Sequence, residues 1–331
     1  MPNYQSQEFL FQRIRELLQP HASLADTVAK ILHVSNDSAY RRIRGETPLV
    51  LDEARELCHH FKLSLDQILN VQGGGTMFQN VRINTQNYSY VKYLTDIIGQ
   101  VEYAASFAHK EIIYLTKDMS LFHNFYYRSL IAFRYFFWMK SIVQHPDFVN
   151  RDFEFSCLSD DIEKLSLELA GVYCKVPSVE IWNTECINSA ISQIEFYKDS
   201  GWFGSSADIK EIYESLEASI EHLKHQVEYG AKFMPGENPE TKKSNFRFFY
   251  NRIILGDNTI MVVTDKVKTV FINYDVLNYM FTRDESFCNP CYEDMQNMTK
   301  RSTLISQTGE KQRNIFFNIM LNKIRYRIKN L

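Results

Sequence analysis

The sequence predicts a two-part protein, with a small all-α unit followed by a larger, mainly helical α+β unit. Three observations support this prediction. Between residues 7 and 70, short apolar stripes at helical spacing alternate with capping and turn residues. Three glycines follow at 73–75, and beyond them strand-like runs begin to alternate with helical patterns. We therefore predict an all-α domain over 1–71, a linker over 72–86 and an α+β domain over 87–331.

Composition and charge limit the classes of function. The chain has 331 residues, of which 45% are hydrophobic, and its 24 Phe and 19 Tyr supply enough apolar surface to exclude a disordered protein. A net charge of -3 excludes a generally basic nucleic-acid coat, so any contact with nucleic acid must come from a local patch.

Membrane and secretion signals are not expected. The most apolar stretch, 130–143, is short and is interrupted by Arg134 and Lys140, and the N-terminus mixes charges with its apolar residues. Six cysteines spread over so long a chain do not resemble a disulfide scaffold, and we interpret them as reduced thiols. These features predict a cytoplasmic protein without membrane contacts.

The first two helices are marked by their ends. An apolar stripe from Phe9 to Leu18 ends before Pro20. Ser23 then caps a second helix, because Asp26 follows three residues later and the two side chains can satisfy free amides of the first turn.

The third helix runs from Asn36 to Arg44 and follows the tight connection 33–35. Ser35 is a good N-cap, and Gly45 closes the helix. Ala39 and Ile43 lie four residues apart, so both can pack on the second helix.

Two further helical segments complete the first unit. Pro48 and Asp52 flank the start of a fourth helix, and 64–69 forms a last capped turn. The residues of the fourth helix that we expect to face inward are Leu51, Ala54, Leu57, Cys58 and Phe61.

The α+β unit contains several strand-like runs between helical patterns. The expected strands are 110–115, 152–157, 179–182, 246–255, 259–264 and 268–273. Gly256, Asp257 and Asn258 favour a hairpin turn between the fourth and fifth of these runs. Helices are expected near 88–109 and near 161–173. A long helix should follow the strand 110–115 and continue to residue 142, and further helices should follow 179–182 up to about residue 229. Helix is expected again from Asp275 onward.

The outward face of the third helix carries the residues that indicate function. The segment Ser35–Gly45 contains three arginines and one aspartate, and a helix with such a face fits the major groove of DNA. The residues predicted to contact DNA are Ser35, Asn36, Asp37, Ser38, Tyr40, Arg41, Arg42 and Arg44, together with Ser23 and Thr27, which would hold phosphate.

These features resemble the helix-turn-helix family of lambda repressor and Cro, also called XRE-like. The matching residues are Val34-Ser35, the helix ending Arg44-Gly45-Glu46, Pro48, and the closing segment 61–69. The resemblance covers the first fifth of the chain, in the variant found in bacterial regulators where a long domain of unknown role follows. It implies an all-α helix-turn-helix fold and sequence-specific binding to double-stranded DNA.

Two positions depart from the family pattern. His33 stands where the family usually has glycine, so we expect a turn that need not be left-handed. Ile43 lies one place closer to Gly45 than the usual apolar residue, which leaves open whether Arg41 or Arg42 reads a base.

Other constellations are weaker, and we predict no catalytic residue, metal site or cofactor. Cys288 and Cys291 have zinc-ligand spacing but no second pair of ligands, so two free thiols are the favoured interpretation. His222 and His225 lie three apart and favour a solvated helix face over a metal site. The aromatic run 133–138 favours core packing over a ligand pocket.

The final helix, 309–331, lies in a basic segment. Eight Lys or Arg and one Glu occur between Lys300 and Leu331. A solvated face that complements acidic surface elsewhere, extra phosphate contacts and a dimerisation helix all remain open.

The sequence thus predicts a homodimeric, cytoplasmic transcription regulator, not an enzyme, whose C-terminal domain senses a small-molecule or protein effector or supports dimerisation. Two copies would read half-sites roughly 10 base pairs apart, or a multiple of that. The alternatives are an antitoxin-like scaffold that binds protein through the helix-turn-helix, and a DNA-targeted enzyme with catalysis in the C-terminal domain.

Overall fold

A mixed sheet and many helices make this an α+β protein, as predicted. The computed structural model describes residues 5–19, 22–69, 76–82, 85, 88–243, 245–253, 256–274 and 278–331. Part of the predicted linker, including its three glycines, lies outside the described residues. Within 72–86, Gln79–Val81 form a strand, β1, that joins the sheet.

The N-terminal residues form five helices, which we call the N-terminal bundle. They are α1 (Gln5–Leu17), α2 (Leu24–Leu32), α3 (Asn36–Ile43), α4 (Leu51–Phe61) and α5 (Leu65–Ile68). The predicted caps are confirmed, because the Ser23 side chain accepts a hydrogen bond from the Asp26 amide and the Ser35 side chain accepts one from the Ser38 amide. Side-chain capping of this kind satisfies amides that the helix itself leaves free.

The N-terminal bundle has its own apolar core. Its most buried members are Leu10, Phe11, Ile14, Val28, Ala39 and Leu57. The prediction that Leu51 faces inward is wrong, since Leu51 is 74% exposed at the first turn of α4. Helical spacing places Leu51 near the face of Leu57 and Cys58, but the first turn extends beyond the core that those two residues reach.

His33 corrects a second expectation. Its backbone is left-handed, with φ 54° and ψ 40°, although the histidine suggested a turn without that conformation. The turn from α2 into α3 therefore keeps the geometry for which glycine is usual, and histidine tolerates it better than a β-branched residue does.

Replacing His33 by valine is expected to destabilise the α2–α3 pair by about 1 to 2 kcal/mol, because a β-branched residue is strained in the left-handed region. Hydrogen exchange measured on α2 and α3 in the full chain should show faster exchange. Lys30→Val, an exposed change within α2, is the matched control and should cost only about 0.5 kcal/mol. Equal protection in the two variants would contradict the strain argument.

The rest of the described chain, from 76 to 331, is the α+β region. Its helices are α6 (Tyr90–Ala105), α7 (Arg128–Phe137), α8 (Pro146–Val149), α9 (Asp160–Lys175), α10 (Asn188–Asp199), α11 (Ser206–Tyr229), α12 (Glu285–Lys300) and α13 (Glu310–Lys329). Its other strands are β2 (Lys110–Leu115), β3 (Ser178–Trp182), β4 (Phe246–Tyr250), β5 (Thr259–Thr264), β6 (Lys268–Asn273), β7 (Tyr279–Thr282) and β8 (Thr303–Leu304).

The strands form one mixed sheet in the order β1-β7-β6-β5-β2-β3-β4-β8. β2, β3 and β4 are parallel neighbours, while every other pair is antiparallel. The parallel pairs need crossover connections, and helices α7 to α11 supply them.

The topology overturns three local predictions. Gly256–Asn258 do not form a hairpin, because β4 and β5 are separated in the sheet by β2 and β3. Residues 152–157 form a single isolated bridge and a short 3-10 turn, not a strand. The third prediction is the return to helix near Asp275, a residue that lies outside the described residues. Tyr279–Thr282 are a strand, and the next helix begins at Glu285.

The sheet separates two apolar cores. Because successive residues of a strand point to opposite faces, Ile112 and Tyr114 pack with the helices of the first face, whereas Ile113 packs on the other. The first face is covered by α6, α7, α9, α11 and α13. On the second face α12 contributes Cys288 and Met295.

The basic residues of α13 pair with acidic side chains of neighbouring helices. Arg325 contacts Glu217 and Glu221 at 2.5 and 2.8 Å, and Arg327 lies 3.4 Å from Glu195. These pairs support the interpretation of a helix face that complements acidic surface.

Polar contacts join the end of α1 to the α+β region. Arg13 pairs with Glu285 at 2.8 Å, and the Tyr103 hydroxyl donates to the Leu17 carbonyl at 2.5 Å. The Lys266 ammonium donates to the carbonyls of Arg15 and Leu18 at 3.2 and 3.0 Å. Because these contacts use α1, they leave the outer face of α3 uncovered.

Candidate nucleic-acid interface

Helix α3 is held against the bundle by its back. Ala39 is fully buried, and Ile43 packs against the same core. This confirms the predicted inward face. The opposite face of α3 is therefore directed to solvent.

The angle between α2 and α3 is fixed by a short turn and a side-chain bridge. His33 supplies the left-handed residue, and Ser35 caps α3. The Asn36 amide donates to an Asp26 carboxylate oxygen at 2.8 Å. Asn36, predicted to contact DNA, thus lies exposed at the start of α3 but bonds to α2.

Three side chains form the exposed end of α3. The side chains of Arg41 and Arg44 are 58% and 67% exposed, and the Arg44 guanidinium lies 5.8 Å from the centre of the exposed Tyr40 ring. Glu46 lies 3.9 Å from Arg41 and 3.6 Å from Arg44. Exposed pairs at such distances are weak, so a phosphate or a base edge can displace Glu46.

Arg42 is turned inward, unlike the residues beside it. Its side chain is only 17% exposed and bonds both Glu53 oxygens, at 2.7 and 3.0 Å. The hydrogen bond from Arg42 is the largest of the causes that hold the pKa of Glu53 below its usual value. The prediction that Arg42 contacts DNA is therefore not supported, and of Arg41 and Arg42 it is Arg41 whose side chain is exposed.

The remaining predicted contacts lie at helix starts. Ser23 is exposed and caps α2, and the Thr27 hydroxyl donates to the Ser23 carbonyl at 2.8 Å. Ser35 is exposed, Ser38 is half-buried, and their hydroxyls are bonded at 3.0 Å. Asp37 is exposed in the first turn of α3. Both helix starts thus present hydroxyl groups to solvent.

Gln7 was missed by the sequence reasoning. Its buried side chain donates to the carbonyls of Arg42 and Thr47 and accepts from the Leu49 amide, at 2.7 to 2.9 Å. Gln7 thereby joins the segment after α3 to α1. Its burial could have been predicted from its position, because Gln7 lies on the same helical face as Leu10 and Ile14.

A second set of polar residues lies inside the α+β region. The Glu180 carboxylate on β3 is fully buried and accepts hydrogen bonds from Tyr173 at 2.5 Å and Trp182 at 2.7 Å, and it contacts His123 at 2.9 Å. Burial alone would raise the pKa of Glu180, but His123 and Tyr173 together bring it below the usual value. We call Glu180, His123, Tyr173 and Trp182 the Glu180 cluster.

The sequence offered no motif for the Glu180 cluster. Tyr173, Glu180 and Trp182 are close in the sequence, but His123 lies 57 residues before Glu180, and the packing of α9 and the 3-10 turn at 121–124 against β3 brings all four together.

The structure also describes the histidine, cysteine and aromatic groups that the sequence analysis considered. His222 is buried and bonds the Phe233 carbonyl at 2.8 Å, so the solvated-face interpretation is wrong for this residue, and burial lowers its pKa to about 4. Cys288 and Cys291 are free thiols on α12. No group of three or more metal-ligating side chains is found within the described part of the chain. The aromatic run 133–138 contributes to the main core, as predicted.

Comparison with protein-family models, curated proteins and solved structures yielded no match to this chain. Among the described residues, no helix has both the length and the apolar character needed to cross a bilayer.

Proposed function

We propose that this protein is a sequence-specific DNA-binding transcription regulator whose N-terminal bundle is an XRE-like helix-turn-helix domain. The observation that carries the proposal is the exposed face of α3, on which Tyr40, Arg41 and Arg44 point to solvent while Ala39 anchors the back. A helix presented in this way can enter a major groove, where arginine side chains pair with guanine edges. The hydroxyls of Ser23 and Thr27 would hold phosphate at the start of α2.

The α+β region would then be a separate domain that senses an effector or supports dimerisation. A single small domain contacts little DNA, so we propose a homodimer whose two α3 helices read half-sites roughly 10 base pairs apart. Such a regulator would act in the cytoplasm, on chromosomal DNA.

The proposal is tested by selecting bound duplexes from a random-sequence pool with the full chain, followed by titration of the enriched sequence at several salt concentrations. Phosphate neutralisation releases counterions, so the logarithm of the affinity should fall by about 0.9 for each neutralised phosphate per tenfold rise in salt. The enriched sequence should contain two copies of one motif. Failure to enrich any sequence, or an affinity independent of salt, would contradict the proposal.

A second candidate function is protein binding through the same bundle. The neighbouring side chains of Val50 and Leu51 are both exposed at the start of α4, and a protein partner could cover this apolar surface. The salt titration separates the two functions, because an apolar protein contact does not weaken as salt rises.

An enzymatic role has less support. Glu180 and His123 form a cluster of the kind found in active sites, but both side chains are fully buried. A substrate could not contact either group in this arrangement. We therefore assign the Glu180 cluster to folding and propose no reaction.

A further inference from the structure

A pocket of about 450 Å³ is lined by residues of α6 and α9 and by residues from two further segments, 232–237 and 242–245. Lysines are its most frequent charged lining residues, namely Lys175, Lys232, Lys242 and Lys243. Glu237, one of three glutamates at the pocket, already pairs with Lys242 at 3.0 Å and accepts from the Met234 amide at 2.8 Å.

Lys232 is the innermost of these lysines. It is only 2% exposed, and its ammonium donates to the Val176 carbonyl at 2.6 Å and lies 3.5 Å from the centre of the Tyr173 ring. An ammonium group has three N–H donors, and within the described residues the Val176 carbonyl is the only hydrogen-bond acceptor found for it. Burying a cation with so few partners is costly unless a counter-charge is supplied.

Glu180 supplies only part of that counter-charge, because its carboxylate attracts the ammonium but no hydrogen bond joins the two groups within the described residues. Its carboxylate already receives hydrogen bonds from Tyr173 and Trp182 and contacts His123. The titratable groups nearest the Lys232 ammonium are Tyr173 and Cys174 on α9 and Glu180 on β3. The pocket lining adds the charged residues Glu102 on α6, Glu168 and Lys175 on α9, and Glu237, Lys242 and Lys243. Burial lowers the pKa of Lys232 to about 7, and Cys174 and Glu180 only partly oppose this effect.

The backbone beside Lys232 is held in place. The Asn245 side chain accepts from the Lys232 amide at 3.1 Å and donates to the Cys174 carbonyl at 3.0 Å. Lys232 is therefore kept at the inner end of the pocket by bonds to its main chain.

We infer that this pocket binds a small organic anion, whose carboxylate or phosphate group pairs with Lys232 while Lys175 and Lys243 at the rim attract it. The anion supplies the rest of the counter-charge and further hydrogen-bond acceptors for the buried ammonium. That such an anion is the effector of the regulator rests on the proposed function, whereas the binding itself does not.

Calorimetric titration of the full chain, without DNA, tests this inference with two probes, succinate and inorganic phosphate, and with succinamide as the uncharged control. We expect one of the two anions to bind and succinamide not to bind. The probe that binds more tightly identifies the anionic group. Lys232→Met should weaken that binding at least about tenfold, since a buried charged hydrogen bond is lost. Lys300→Met, an exposed change on α12, should leave it unchanged.

Proton uptake provides an independent measurement. With a pKa of about 7, Lys232 is mostly neutral at pH 8, and an anion favours its charged form. Binding at pH 8 should therefore take up more protons than binding at pH 6. Calorimetry in two buffers of different ionisation enthalpy measures this uptake.

Two rim variants keep the test decisive if Lys232→Met does not fold. Lys175 and Lys243 are exposed, so Lys175→Met and Lys243→Met should fold normally and weaken binding several-fold. Two results would overturn the inference: no binding of either anion at millimolar concentration, or equal affinities in all variants. DNA binding by α3 is measured separately, so failure here does not bear on that proposal.

Discussion

Replacing Glu180 by alanine is expected to lower the free energy of unfolding of the α+β region by at least about 3 kcal/mol, since each buried group left without its hydrogen-bond partner costs about 1 to 3 kcal/mol. The loss is large because His123, Tyr173 and Trp182 would all lose a hydrogen-bond acceptor while remaining buried. A buried donor without an acceptor carries its full desolvation cost.

Denaturation by urea, followed by tryptophan fluorescence, measures this effect, since Trp182 contacts Glu180 directly. Glu293→Ala, an exposed change on α12, is the control and should alter the unfolding free energy by less than about 0.5 kcal/mol. If Glu180→Ala cost no more than the control, the Glu180 cluster would not stabilise the fold.

Arg41→Ala should reduce the preference for the selected DNA over random DNA by roughly 5- to 150-fold, the equivalent of about 1 to 3 kcal/mol for one arginine paired with a base. Competition titrations at constant salt measure the ratio of the two affinities. The variant should keep the stability of the wild type, because the Arg41 side chain is largely exposed. An unchanged ratio would remove Arg41 from base recognition.

Two other arginines provide controls for this experiment. Arg55 on α4 has the same exposure as Arg44, 67%, and Arg55→Ala should leave discrimination unchanged. Arg42→Ala removes the partner of Glu53, so it should destabilise the N-terminal bundle, in contrast to Arg41→Ala. Comparing Arg41→Ala with Arg42→Ala therefore distinguishes a residue that contacts DNA from a residue that stabilises the helix.

The helices of the N-terminal bundle could be predicted because their signals are local. Ser23 and Ser35 cap their helices through amides three residues away, as the sequence indicated. His33 could not be predicted from its identity, since the position of the turn, and not the residue type, requires the left-handed backbone. The role of Arg42 depended on Glu53, which lies on a different helix.

The sheet was harder to predict, because strand pairing is not local. Thr259–Thr264 and Lys268–Asn273 were predicted with their observed limits, yet β4 and β5 are not neighbours. The pocket lysine and the Glu180 cluster had no sequence signal, since they meet only when α9 and the segment after α11 pack beside β3.

The polar contacts on α1 have a consequence for how the two parts of the chain influence each other. Arg13 with Glu285 is a partly exposed ion pair, and such a pair contributes only about 0 to 1 kcal/mol. A ligand can shift an equilibrium only by the difference between its affinities for the two arrangements, and a tenfold difference, about 1.4 kcal/mol, already exceeds the contribution of this pair. Any ligand of the α+β region that favours a different orientation of α1 would therefore shift the population of bundle orientations, and with it the spacing that two copies can span on a duplex.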